Sequence, residues 1–415
     1  MTEFRDSTMA LLHWLEANNH ASYDRFDLWA SKPGVWGKRL FGRHKLLGLP
    51  LVAPIFVIDT FFPRSRRFFV KKARSAEAIP RIAMGYFRLY EMQGNHLYLE
   101  RGLQLLRWLE ENASHSAHGI GWGLRFDWQA KEFVPRTTPC VTVTSHSTEA
   151  FLEGFRLTGE EKYRQIALKS ADFVMYDLHR RVNNDSVAIS YTPVDHNFVI
   201  NANSFGARIL LLAYRADKDP EKLELIRKIV NYIVDQQNAD GSWFYSDKDD
   251  VPPNKNFIDS FHTGYVVEHL FEVWQHTQDP RTLVAIERGR EFMLRHLVND
   301  DFSIPYYYSY HSPTGIKVDI RGCAEMIRTF TLLSEHYKDD LEVATNIARW
   351  TIENMRSKKG YFYLRIFRTH TNRLPCVRWG QAPMFNALTF LMTKNRGRPS
   401  PETPELTVKP GDGDS

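Results

Sequence analysis

Short polar breaks recur along the chain with apolar residues in helical spacing on both sides, and a helix without a partner stands at each end. These observations predict an all-α fold, an (α/α)6 barrel in which six helical hairpins close into a ring. The breaks begin at Gly94, Gly159, Asp219, Asp279 and Asp339; the last three are 60 residues apart and the first two 65. A hairpin of this size buries one face only by stacking on its neighbours, which predicts a single domain over residues 1–394.

The first predicted helix, 8–18, follows acidic residues Glu3 and Asp6 and lacks the basic start of an export signal. Residues 20–76 read as a long loop over the barrel. Their most apolar run, 46–62, is interrupted by Pro50, Pro54 and Asp59, whereas a membrane span needs about 20 apolar residues. Next comes Arg64-Ser-Arg-Arg-Phe-Phe-Val-Lys-Lys72, basic with aromatics interleaved. The apolar residues of this loop are expected to cover part of the core; peripheral contact with an anionic membrane through the stretch from Leu46 to Arg74 is the alternative.

The first helices of the pairs are predicted at 78–91, 147–157, 204–214, 263–274 and 323–333. Their partners follow at 97–109, 163–176, 223–234, 283–297 and 341–355. Asp219-Pro220 and Asp279-Pro280 each supply an N-cap and a proline at the first helical position. Aromatic runs at 122–128, 189–191, 243–245, 306–308 and 361–367 suggest short strands or loops between hairpins. The last helix, 383–393, would pair with the first and close the ring. The tail 395–415 has no apolar face and is expected to be disordered.

Composition is that of a globular protein, with 415 residues, 43% hydrophobic and 25% charged. The net charge of +5 is small and reads as spread along the chain, so no nucleic-acid partner is expected. Cys140, Cys323 and Cys376 form no CxxC pair and fit a reducing compartment. With no export signal evident, the cytoplasm is expected, with a location peripheral to the inner membrane as the alternative if Leu46–Arg74 faces it. The sequence lacks the Asp-x-Cys, Trp-Cys, Cys-His and HExxH arrangements of zinc sites. Neither a metal centre nor a cofactor is expected.

Ser145, Asn203, Phe261, Asp319 and Arg378 lie 58, 58, 58 and 59 residues apart, each in a polar, aromatic stretch that opens the first helix of a pair. In a closed ring these stretches converge at one mouth, where helix N-termini present free N–H groups. Capping accounts for Ser, Asn and Asp there. It does not account for His146, His262, Arg321, Arg378 and Trp379 at the same phase. Rings that stack and forks that grip carboxylates suit a polyol or sugar acid.

Asp259, close to His262, is the expected general acid or base. Asp319, beside Arg321, is expected to stay ionised as base, nucleophile or hydroxyl anchor. Asp127, Trp128, His146, Asn203, Arg321, Arg378, Trp379, Tyr23, Asp27 and Tyr245 are the expected substrate-binding set. Two carboxyls point first to glycoside hydrolysis. Uronate C5-epimerisation or elimination, with His or Tyr as base and Arg as electrostatic partner, is the alternative. A glycan-binding scaffold without chemistry would use the same mouth. A terpenoid-cyclase reading rests on Gln237-Asn-Ala-Asp-Gly-Ser-Trp243 and Asp247-Lys-Asp-Asp250. The first occurs once, and the second lies in a Pro-bounded polar loop.

Gly121-Trp-Gly-Leu-Arg-Phe-Asp-Trp-Gln129 and Ile258-Asp-Ser-Phe-His-Thr-Gly-Tyr-Val-Val-Glu268 resemble the VpsJ-like bacterial polysaccharide-biosynthesis proteins of the six-hairpin glycosidase superfamily. Tyr23-Asp-Arg-Phe-Asp27 is similar to that group's Tyr-Asp-Pro-Tyr-Asp motif, with Arg25 in place of the proline. The resemblance covers about residues 20–393. It implies a fold related to the catalytic half of glucuronyl C5-epimerases and a role in surface-glycan production. The implied partner is an oligo- or polysaccharide, free or lipid-linked.

Overall fold

The structure is a computed structural model in which residues 2–129, 132–308 and 315–395 are described. The expected disordered tail, apart from Asn395, lies outside the described residues. The helices are α1 (Thr2–Ala17), α2 (Lys32–Arg43), α3 (Lys45–Phe61), α4 (Ile79–Gln93), α5 (His96–Glu111), α6 (Val141–Thr158), α7 (Glu161–Asp172), α8 (Ile200–Asp217), α9 (Pro220–Asp235), α10 (Ser260–Thr277), α11 (Pro280–His296), α12 (Ile320–Leu333), α13 (Asp340–Met355) and α14 (Ala382–Lys394).

Helices α4, α6, α8, α10, α12 and α14 pack side by side into an inner ring, and α14 returns to α4 to close it. Helices α5, α7, α9, α11 and α13 each pair with the inner helix that precedes them, and α1 packs on α14 as the sixth outer helix. The chain is thus an (α/α)6 barrel closed by its first and last helices.

Local chemistry sets the hairpins. Asp219 and Asp279 cap α9 and α11 by accepting from the backbone N–H of Glu221 and Thr282, with proline next in line. Gly94 and Gly159, at φ 70° and 72°, end α4 and α6 in the left-handed conformation that glycine adopts without strain. The aromatic connections hold short antiparallel pairings. Among them, residues 258–259 pair with 307–308, and 365–367 lies between 316–319 and 371–372.

Helix α12 of the inner ring is enclosed on all sides, with every residue buried. Charges within the ring must therefore be paired. Arg208 of α8 grips Glu272 of α10 at 2.7 and 3.1 Å and reaches Glu149 of α6 at 3.1 Å. Arg328 of α12 meets Glu268 at 2.7 Å and Glu149 at 3.3 Å, so the layer ties helices that are not neighbours. Burial alone would raise the Glu149 carboxyl, but Arg208, Arg328 and Arg88 outweigh it and hold the group well below the usual carboxylate range.

Three sequence expectations need correction. Inner helices α6, α8, α10 and α12 begin three to six residues earlier than the periodicity suggests, because apolar residues such as Val141 and Ile200 extend them toward the mouth. Residues 20–76 are not one long loop. They hold α2, α3 and the helical turn Pro63–Phe68. Pro50 and Pro54 are four apart on one face of α3, and the bond that Pro50 forfeits is to Leu46 in an exposed first turn. Gly37 and Gly48 let α2 and α3 approach closely; a Cβ on Gly48 would lie 2.3 Å from the Phe41 backbone. Finally, the positive charge is not spread: residues 32–74 hold 11 Lys and Arg against one acidic residue, Asp59.

Candidate active site

A cavity of about 320 Å³ opens at the N-terminal ends of the inner helices. Every hairpin of the ring contributes to its lining. Glu77 stands just before α4, and Thr142 and Asn201 lie in the first turns of α6 and α8. Asp259 and His262 open α10, Arg321 opens α12, and Arg378 precedes α14. Arg25, Phe26 and Lys38 from the N-terminal extension complete the wall beside Trp128, Tyr191, Tyr245 and Trp379. A larger surface groove, about 680 Å³, runs along α9 and α11 and is bordered by exposed ion pairs such as Arg227 with Glu224. It contains none of the expected site residues.

Glu77 is the hub of the charged wall. Its carboxylate accepts from Arg321 at 2.6 Å, Arg378 at 2.7 Å and Arg81 at 3.3 Å. Burial would raise its proton affinity, but the three guanidinium groups dominate and hold it well below the usual range. Arg378 is also gripped by Asp24 through Nε and Nη2. Arg25 and Arg321 stack on the Trp379 indole at 4.3 and 4.6 Å. Each of these two keeps a buried Nη1 with no hydrogen-bond partner, and Asn201 keeps a buried, unpartnered Oδ1.

Asp259 is the N-cap of α10. One oxygen accepts from the His262 backbone N–H at 2.9 Å, and the other lies 2.7 Å from His262 Nδ1. That contact fixes the proton on Nδ1 and leaves Nε2 to the cavity. Tyr245 flanks the imidazole with a ring separation of 4.6 Å. Burial first, then nearby Asp259 and Asp195, pushes the Tyr245 phenol above its ordinary range; burial does the same for Tyr191. Both phenols are protonated at neutral pH.

The structure therefore brings Asp259, His262, Trp128, Arg321, Arg378, Trp379 and Tyr245 to one cavity and leaves the other expected residues outside its lining. Asp319 is the N-cap of α12, and its oxygens accept from Arg321 N–H, Trp379 Nε1 at 2.8 Å and Arg365 Nε. It positions Trp379 and has no oxygen turned to the cavity. His146 sits in the second turn of α6, where Nε2 accepts from Arg81, and burial keeps the ring neutral. Asn203 turns back to bond the backbone of Ile189 and Val199. Both lie deeper than expected because their helices start earlier. Asp127 accepts from the Arg136 N–H, Asp27 is held by Arg125 at 2.8 Å, and Tyr23 packs near Lys72. Arg25, Lys38 and Glu77 were not anticipated. Glu77 does not share the 58-residue phase of the other mouth residues, because the first hairpin is longer.

Among the described residues no cluster of three His, Cys, Asp or Glu side chains is arranged to hold a metal. All three cysteines are buried and free, their thiols pushed up to about 12 by burial. Asp247 is not part of the cavity lining; it is bonded to Tyr232 at 2.7 Å and to Arg181. The Gln237–Trp243 turn locks helix ends: Gln237 donates to Ala285 O and Trp243 Nε1 to Ile233 O.

No protein-family model and no curated protein matches the chain. Solved structures do. A cellobiose 2-epimerase from Bacillus thermoamylovorans superposes with a TM-score of 0.60 at 13% identity, covering 78% of this chain and 88% of its own. An unsaturated glucuronyl hydrolase specific for heparin gives 0.56 at 12% identity over 76% and 86%. An α-1,6-mannanase from Salegentibacter gives 0.56 at 14% identity over 78% and 89%. At these identities the likeness is one of fold: this chain is built on the six-hairpin barrel that those carbohydrate-active proteins share.

Proposed function

We propose that the protein is a carbohydrate-active enzyme that epimerises a uronate-containing glycan at C5. The observation that carries this reading is the pair of buried, unpartnered Nη1 groups on Arg25 and Arg321, both stacked on Trp379 in the cavity wall. Buried donors left without acceptors are costly, and a ligand carboxylate beside Trp379 supplies an acceptor. A carboxylate placed there also spreads the charge that develops when the adjacent C–H loses its proton.

The rest of the wall fits the chemistry. His262 Nε2 takes the C5 proton, with Asp259 fixing the ring and compensating the imidazolium. A neutral phenol, Tyr191 held at Thr142 two hairpins round the ring, delivers a proton to the opposite face and completes the inversion. Hydrolysis by two carboxyls is less well served. The carboxylates lining the cavity are Glu77, locked by three arginines, and Asp259, spent on His262. The epimerases and the glucuronyl hydrolase among the structural neighbours support a sugar or sugar-acid substrate. The VpsJ-like motifs support a surface-polysaccharide precursor, lipid-linked where chain assembly takes place on a membrane.

Incubation with uronic-acid oligosaccharides in deuterated water tests the proposal. Deuterium should enter at C5 without chain cleavage, and His262→Gln should lower kcat by about 100-fold or more while the melting temperature holds. Chain cleavage without C5 exchange, or full turnover in the His262 variant, would sink it.

A further inference from the structure

Helix α3 has 17 residues, and Gly48 is the one that is buried. Eleven of the seventeen large apolar side chains exposed among the described residues fall between Trp36 and Phe69. The most open are Leu46 at 86%, Phe68 at 71%, Phe69 at 67% and Leu47 at 64%. Single exposed apolar residues are ordinary on a protein surface; a patch on this scale marks a surface that is covered in use. Because α2 and α3 close on each other through Gly37 and Gly48, their larger side chains are turned outward.

Charge identifies the cover. Residues 32–74 carry 11 basic residues and one acidic one, whereas the remainder of the chain has 43 basic against 48 acidic. The net positive charge of the protein therefore resides in this segment, and its single carboxylate, Asp59, is already taken by Arg66 and by Trp29 Nε1 at 3.1 Å. A second copy docking face to face would set like charges together. A neutral apolar partner would leave the basic residues unanswered. An anionic bilayer takes the apolar side chains at its acyl boundary and the basic ones at its headgroups. At about 26 Å and with two internal prolines, α3 lies in such a surface without crossing it; no described helix is long and apolar enough to span.

We propose that α2, α3 and the basic turn after them form a hairpin that docks the protein on anionic lipid. The same extension supplies Arg25 and Lys38 to the cavity wall, so docking brings the barrel mouth to the lipid surface. The inference is independent of the reaction proposed above and has its own readout.

The test is flotation of the full chain with phosphatidylcholine vesicles, with and without roughly one third phosphatidylglycerol. Binding should favour the anionic vesicles by about ten-fold or more and weaken in high salt. Leu46→Ser with Leu47→Ser, and separately Arg64→Glu with Arg67→Glu, should each lower partitioning by about ten-fold or more at an unchanged melting temperature. The two variants act on different forces, so a folding defect in one leaves the other informative. Absence of flotation, equal binding to neutral vesicles, or undiminished binding by the Leu46/Leu47 variant would overturn the proposal. A dimer in solution that the same variant makes monomeric, without vesicle binding, would assign the face to a second copy and overturn it as well.

Discussion

His20 and Asp27 flank the start of the N-terminal extension and respond to acid in opposite ways. The Tyr86 hydroxyl donates to Glu16 at 2.9 Å, so its contact with His20 Nε2 at 3.3 Å is one in which the imidazole donates. Nδ1 is then bare, buried and without a partner, and burial, with Arg74 and Arg101 nearby, pushes the group down to about 4. The folded state binds fewer protons than the unfolded one between pH 4 and 6.5, so this contribution is lost as pH falls through that window. Asp27 is pushed up to about 6, chiefly by burial, with Asp24 adding to the rise and Arg125 opposing it. Its folded form holds the extra proton, so stability is gained as pH falls from 6 toward the ordinary carboxylate value. Each shift corresponds to about 3 kcal/mol, and the two nearly cancel. Relative to wild type, His20→Gln should gain stability between pH 7 and about pH 4.5, and Asp27→Asn should lose it, in denaturant titrations at both values. Parallel pH profiles for all three proteins would contradict the assignment. Neither role was legible in the sequence, because both arise from burial by segments distant in the chain. Asp259 with His262, by contrast, was legible: their spacing of three puts cap and ring on one turn, so local geometry alone joins them.

At the scale of the element, a boundary was readable wherever a residue type has one local meaning. Asp279 accepts from the Thr282 N–H at 2.8 Å and Pro280 takes the first helical position, as Asp-Pro predicts. Asp279→Ala should cost about 1 kcal/mol in a denaturant titration, and Asp279→Asn a fraction of that; equal values for the two would mean that the cap is not what the aspartate provides. The inner helices were legible in number but not in start. An amphipathic helix announces its ends through contrast between faces, and the first turns of α6 and α8 have none, since every residue there is buried. That one missing turn explains the misplaced His146 and Asn203. The hairpin of α2 and α3 was missed for the opposite reason. Its prolines are strong breakers in isolation, and the close contact at Gly37 and Gly48 that holds the two helices together is a tertiary fact.

For the whole molecule, the consequential feature is that the ring is closed by the two ends of the chain. The five internal breaks fix five hairpins, but a row of hairpins leaves its first and last inner helices with an apolar flank open. Helix α1 removes that problem by covering α14, while α14 completes the contact with α4. Phe4, Leu11, Leu12 and Leu15 of α1 are buried, and Trp14 packs on Tyr361 of the connection beside α13. Burial of four such side chains is worth about 6–12 kcal/mol as an upper bound, the same size as the entire stability of a typical domain. Removal of residues 1–17 should therefore do more than lower the melting temperature by a few degrees. Helix α14 follows the turn Val377–Gln381, which carries Arg378 and Trp379, so an uncovered α14 also loosens the anchor of the cavity wall. The truncated chain should aggregate or lose its cooperative transition, and any soluble fraction should bind uronate oligosaccharides about ten-fold or more weakly. If it instead melts cooperatively at the full-length temperature with ligand binding intact, α1 is an appendage, and the six-hairpin ring closes without its sixth outer helix.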